Sequence, residues 1–325
     1  TASLGHGTDA LIDQWLGFGS VLAHGGKFDE SQTAFEHGIA MARDLYGENS
    51  VRLAHALNEF GNMLSDKSDF AGAERTLRQA LEIRRRSMGP TARDTLIDEG
   101  NLLTAIETDG RLAQALPQRT QLIETATHAA QMHPSDLAYF YVHAGTDLRD
   151  LGRFDDAESM LRKAIAVFDA SLGPDSAQSA GTQQELGSTL MLLGRYRDAK
   201  VPIEKALEIT QREGGPSALK TADRRILLGQ LLAREHRRDD ALALIEAAAK
   251  AYEHANASDW GRPRALAALS EAQPDAGQPD PPHPTPHTTP AQSPNLPPPR
   301  PEHRLGEPTG PQPAANGTNF VRAWD

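Results

Sequence analysis

A glycine that returns every forty-two residues constrains this chain more than any other feature. Gly19, Gly61, Gly145, Gly187 and Gly229 hold one register, and Leu103 is the single departure. A glycine inside a helix costs about 1 kcal/mol relative to alanine, so its return implies two backbones that must approach closely. Other registers keep the same period. Three residues on stand Leu22, Leu64, Ile106, Leu148, Leu190 and Leu232; further on come Phe28, Phe70, Leu112, Phe154, Tyr196 and then Arg238. A small residue follows at Ser31, Ala73, Ala115, Ala157, Ala199 and Ala241. Six copies in register without an insertion point to stacked supersecondary units, none of which can bury its apolar face alone.

The unit is legible in residues 138–180. Ala138, Val142, Gly145, Leu148 and Leu151 recur at three- and four-residue steps, which is the apolar stripe of a helix. Gly152-Arg153-Phe154-Asp155-Asp156 interrupts the stripe with a glycine and with carboxylates suited to a helix N-terminus. Ala157, Leu161, Ala164, Ile165 and Phe168 resume it, and Gly173-Pro174 ends it.

The small-residue and glycine crossing, the Gly-x-aromatic turns (Gly152-Arg153-Phe154, Gly194-Arg195-Tyr196) and the pairs Ala80-Leu81, Ala164-Ile165 and Ala206-Leu207 together resemble the tetratricopeptide repeat family. The longer period, with Leu81-Glu82-Ile83 leading to Gly89-Pro90 and Leu207-Glu208-Ile209 to Gly215-Pro216, is similar to the kinesin-light-chain type of that repeat. The resemblance covers residues 11–265. It implies an all-α fold, a right-handed α-solenoid of six helix-turn-helix repeats, at 11–53, 54–94, 95–137, 138–180, 181–222 and 223–265. A short capping helix is expected over Arg264–Glu271. It implies no particular function, because the repeat serves many roles.

Repeat three departs most. Leu103 replaces the crossing glycine, Arg119 occupies an apolar slot of the second helix, and Pro117 sits near that helix's start. Pro202 lies one residue further into its own helix, so both prolines predict a displaced or slightly kinked second helix. In repeat two, Arg84-Arg85-Arg86 falls in a last helical turn, where the dipole favours cations, and is expected to stay solvated. Repeat one opens on Leu11, Ile12, Trp15 and Phe18, unusually apolar for a terminal repeat.

Outside the repeats, composition separates two segments. Residues 1–10 are small, polar and glycine-rich and read as a linker. Residues 273–325 hold fifteen of the chain's twenty-two prolines, too little apolar surface to offset ordering entropy, and are expected to be disordered. Within them Pro298-x-x-Pro301 has the spacing of SH3-type ligands, and Phe320-Val321-Arg322-Ala323-Trp324-Asp325 is the tail's only apolar cluster.

A net charge of −11 argues against nucleic-acid or anionic-membrane partners. The absence of cysteine removes disulfides and thiolate metal sites and fits a reducing, cytoplasmic location. No Gly-x-Ser-x-Gly elbow, phosphate-binding loop or His-Glu-x-x-His motif is present, so neither catalysis nor a cofactor is expected within the chain. His24, His143 and His236 read as surface residues, and His283 with His287 lies on a proline-rich strand rather than one helix face.

One register does suggest binding. The residue after the crossing glycine is Ser20, Asn62, Thr104, Thr146, Ser188 and Gln230, always a small or amide polar group. In the family resembled, the first helices line the concave face, and such a ladder of uncharged donors and acceptors suits an extended peptide. The competing reading is back-bonding to carbonyls of the same helix. Four residues earlier stand Leu16, Asn58, Gly100, Val142, Gln184 and Ile226, which lack the basic clamp some relatives use for C-terminal carboxylates. The sequence therefore predicts a protein-interaction scaffold. The alternative is the regulatory half of a signalling kinase or ATPase.

Overall fold

The computed structural model describes residues 2–215, 217–254, 265, 267 and 268. The described residues form six helical pairs: α1 (Ala2–His24) with α2 (Phe28–Tyr46), α3 (Val51–Asp66) with α4 (Phe70–Met88), and α5 (Arg93–Thr108) with α6 (Leu112–His128). They continue as α7 (Pro134–Asp150) with α8 (Phe154–Leu172), α9 (Ala177–Leu192) with α10 (Tyr196–Gly214), and α11 (Leu219–Arg234) with α12 (Arg238–His254). No strand is present among the described residues. Each helix packs on its pair partner and on the next pair, giving an α-solenoid.

The turn inside each pair explains two of the sequence registers. Its left-handed position is Gly26, Ser68, Gly110, Gly152, Gly194 and His236, with φ between 62° and 80° in all six. The next residue's N–H reaches back to the carbonyl of Leu22, Leu64, Ile106, Leu148, Leu190 or Leu232, at 2.8–3.2 Å, closing the helix end as a Schellman motif. Between pairs, Gly47, Gly89, Gly173 and Gly215 take φ of 78–93°, whereas the matching position in repeat three is Gln131. There α6 stops after 17 residues, and the chain leaves through Ala129 in extended geometry, whereas α2, α4, α8 and α10 each run for 19. Ser50, Asp69 and Ser176 cap α3, α4 and α9 by accepting a backbone N–H three residues on.

The crossing glycine does what its register implies. A Cβ on Gly61 would sit 2.6 Å from Leu77, and one on Gly145 would sit 2.8 Å from Leu161. The first helices α1, α3, α5, α7, α9 and α11 also touch one another in sequence, while among the described residues no second helix touches another second helix. The first helices therefore line the inner side of the curve.

Several expectations need correction. Residues 2–10 are helical and continuous with α1, not a linker. Repeats two to six begin at residues 51, 93, 134, 177 and 219, a few positions before the periodicity placed them, because polar first turns of the first helices carry little apolar signal. Pro117 and Pro202 sit inside α6 and α10, which continue through them. The capping helix falls mostly outside the described residues, but Ala265 and Ala268 are buried against Ile226, Ile245 and Tyr252. Residues 273–325 lie outside the described residues.

Candidate functional site

The six ladder residues all lie on first helices, but their environments divide them. Ser20, Thr146, Ser188 and Gln230 are half-buried, whereas Asn62 and Thr104 are 1% and 5% exposed. Asn62 Nδ2 donates to Asn58 Oδ1 at 3.3 Å, and Asn101 Nδ2 donates to the same oxygen at 3.0 Å, forming an amide cluster across α3 and α5. Asn58 Nδ2 and Asn101 Oδ1 have no hydrogen-bond partner, and both atoms are covered. Thr104 Oγ1 donates to Gly100 O at 3.1 Å, and Thr146 Oγ1 to His143 O at 2.9 Å. Two of the six thus make the back-bond that competes with ligand binding.

Arg119 is what seals Thr104 off. Its side chain is 0% exposed. It stands in the slot that holds Phe35, Leu77, Leu161, Ile203 and Ile245 in the other repeats, all of them 0% exposed. In this repeat the crossing register holds Leu103 rather than glycine, and the guanidinium runs along α5, bonding to groups of that helix at three positions. Nε donates to Glu107 Oε1 at 3.0 Å, Nη2 to Thr104 Oγ1 at 3.1 Å, and Nη1 to Gly100 O at 3.4 Å. Asp147 of α7 lies 4.0 Å from Nε. Burial, followed by the Glu107 charge, raises the Asp147 carboxyl to about 8. His143, on the same helix, is lowered to about 4 by burial, with the Arg119 charge adding to it. His143 is half-buried in the middle of α7, which corrects its reading as a surface residue near a helix end.

Arg84 is also misjudged by its helix alone. It is buried, with Nη1 2.8 Å from Asp94 Oδ2 and Nε 2.7 Å from Asp98 Oδ2, so it is not solvated. Burial raises the Asp98 carboxyl to about 7 against the opposing pull of Arg84. Arg85 pairs with Glu99 and Arg86 with Glu82. An open cleft of about 620 Å³ lies beside this cluster, lined by Asp9, Tyr46, Arg52, His55, Arg84 and Asp94. Its charges neutralise one another: Tyr46 Oη donates to Asp9 at 2.5 Å, and Arg52 lies 2.8 Å from Asp13.

Further along the inner face, Arg149 pairs with Glu185, and Gln184 Oε1 has no hydrogen-bond partner. Among the described residues no group of three or more His, Asp or Glu side chains could hold a metal ion. None of the described helices is long and apolar enough to cross a membrane.

A family model described as tetratricopeptide repeat matches residues 12–86 and 136–202, passing over repeat three. Those two segments are tetratricopeptide repeats. A kinesin light chain-related protein of Arabidopsis thaliana is 24% identical over 164 residues, covering 50% of this chain and only 27% of that protein's length. The solved structure of BtubC from P. vanneervenii superposes with a TM-score of 0.61 at 20% identity, covering 71% of this chain and 93% of BtubC. A Rap protein solved with Competence and Sporulation Factor gives 0.56 at 15% identity, over 79% of this chain and 73% of Rap. The tetratricopeptide solenoid is a protein-interaction fold, and the structural likenesses establish the fold alone.

Proposed function

We propose that this chain is a binding scaffold which holds an extended segment of a partner protein along the inner face of α7, α9 and α11. The observation that carries this reading is the split in the polar ladder. Thr146, Ser188 and Gln230 are half-buried rather than sealed in three successive first helices, Thr146 while also donating to His143 O, whereas Asn62 and Thr104 are buried in internal contacts. Consecutive uncharged donors and acceptors match the alternating C=O and N–H groups of an extended backbone. The Rap neighbour, solved in complex with Competence and Sporulation Factor, shows this fold holding a bound factor in another protein.

A displayed random-peptide library, selected against the full chain, supplies a probe whose affinity can be measured by fluorescence polarisation. The triple variant Thr146→Ala, Ser188→Ala and Gln230→Ala should weaken the selected peptides at least about tenfold, at about 0.5–1.5 kcal/mol per lost hydrogen bond. Arg162→Glu, on exposed second-helix surface, should leave affinity unchanged. A folded triple variant with full affinity would overturn the reading.

A second reading has its own observation. Leu11, Phe18 and Val21 of α1 are 41%, 52% and 70% exposed, whereas in α3 the matching Leu53 and Met63 are buried and Phe60 is half-buried. An apolar face left open in this way fits the regulatory half of a larger signalling enzyme. Phe18→Ser with Val21→Ser should abolish regulation in that case and leave peptide affinity intact.

A further inference from the structure

The apolar core of the solenoid is not continuous. One buried cluster runs from Ile12 through α2 to α6 and ends on one buried residue of α7, Phe140, with Leu137 and Tyr139 half-buried beside it. A second starts at Leu161 of α8 and runs through α9 to α12. Only the small cluster of Ala138, Ala164 and Phe168 lies between them, joined to the first by the half-buried Tyr139. The gap is where Arg119, Glu107 and Asp147 sit. Asp147 holds the register that carries Met63, Ala105, Thr189 and Leu231 elsewhere, so a carboxyl replaces the side chain that would close the core. Of the six pairs, α5–α6 packs least closely, and α6–α7 is the least close contact between successive pairs. The short α6 and its glycine-free exit at Ala129 belong to the same junction. What crosses it is a thin apolar seam, Leu137 and Tyr139 half-buried beside Phe140, which lies so close to Gly100 that a Cβ there would meet the ring at 2.7 Å, together with the Arg93–Asp136 ion pair at 2.6 Å and the charge cluster.

We propose that the α6–α7 junction is a joint between two blocks, α1–α6 and α7–α12, which open as separate units, and that a proton on the Glu107–Asp147 carboxyl pair sets how easily the joint opens. In a solenoid, stability is a sum of unit and nearest-neighbour terms, so the least apolar interface is where the array divides. With Asp147 protonated, the cluster holds one cation, one carboxylate and one neutral acid. Loss of that proton to solvent leaves two buried carboxylates against one guanidinium, with Asp150 adding a further negative charge from α7. The opened junction rehydrates both.

The direction with pH follows from every group that faces the cluster: Glu107 from α5, Arg119 from α6, and His143, Asp147 and Asp150 from α7. Asp147 favours the closed joint at low pH, and this is lost as pH rises from its ordinary 3.8 to about 8. His143, neutral when closed and ordinarily titrating at 6.5, favours opening as pH falls from 6.5 toward 4. Below 6.5 the two oppose each other. Between 6.5 and 8 Asp147 acts alone, and opening becomes easier by up to about tenfold per pH unit.

Hydrogen exchange of the full chain at pH 6.5, 7.2 and 8.0, corrected for intrinsic rates, reads this directly. Protection in residues 112–150 should fall by up to about 30-fold over that range, while α1–α2 and α9–α10 change less than about threefold. In dilute urea, the opening constants should step at the α6–α7 boundary. Asp147→Asn, which mimics the protonated acid, should remove the pH dependence, and the wild-type series stands even if that variant folds poorly. Unchanged protection at 112–150, a step elsewhere, or all helices opening together would overturn the joint.

Discussion

Arg119 shows how far a single residue can be read from sequence. Its register is plain, and so is the loss of the glycine at 103, yet in the sequence the two stand as separate defects. In the structure they are one exchange: Leu103 fills the space a glycine leaves elsewhere, and the second helix answers with a long polar chain that turns toward Glu107. Sequence spacing cannot show that, because Glu107 comes from the first helix of the pair and Asp147 from the next pair. Arg84 escapes for the same reason, since helix-end rules see only the residue's own helix and Asp98 lies on the following one. Restoring only half of the exchange should fail. Arg119→Leu leaves the Glu107 carboxylate buried without its cation, which costs about 3–5 kcal/mol. The introduced leucine would also meet Leu103, whereas Leu77 in the same slot faces a glycine. Urea unfolding should show that loss, and Leu103→Gly with Glu107→Ala in the same background should recover most of it. No recovery would mean that Arg119 is held by contacts outside this pair.

At the scale of elements, the pairs and their turns are legible in the sequence, and their first residues are not. The turn survives in sequence because a left-handed residue and a Schellman bond leave marks at fixed positions, a glycine in four repeats and an apolar residue four before it in all six. Helix starts leave weaker marks; Ser50 and Ser176 cap their helices, but Ala92 and Ala218 stand at the same register with no side-chain bond. The two turns without glycine make a test. Ser68 and His236 sit at φ of 68° and 62°, where a side chain costs about 1–2 kcal/mol. Part of that returns as unfolded-state entropy when glycine is introduced. Ser68→Gly and His236→Gly should each stabilise by up to about 1 kcal/mol, measured as an upward shift of the melting temperature. Substituting Gly152→Ala, at φ of 75°, should do the reverse. A destabilised Ser68→Gly would mean that the serine side chain contributes more than its backbone strain costs.

For the whole molecule, the solenoid is readable because six copies repeat the same evidence, while its electrostatics are not, because burial of a charge is a property of stacked units. That burial predicts how stability varies with pH. Asp98 and Asp147 titrate near 7 and 8 in the folded chain, so the stability their protons confer is present below about pH 4 and lost as pH rises to those values. His55 and His143 are held below 6.5, both chiefly by burial, so they withdraw stability as pH falls below 6.5. Two acids and two histidines oppose each other on the acid side, and the profile there should be shallow. From 6.5 upward only the acids act: both up to about 7, and Asp147 alone from there to about 8. With about 1.4 kcal/mol per unit for each group, stability should fall by up to about 2–3 kcal/mol between about pH 6.5 and 8 and then level off. Urea midpoints across that range measure it, read with circular dichroism. Asp98→Asn should lessen the slope below about pH 7, and Asp147→Asn should remove most of the fall, including all of it above 7. A profile that rises toward pH 8 would show that the two carboxyls are ionised in the folded chain, and that Arg84 and Arg119 hold them as full salt bridges.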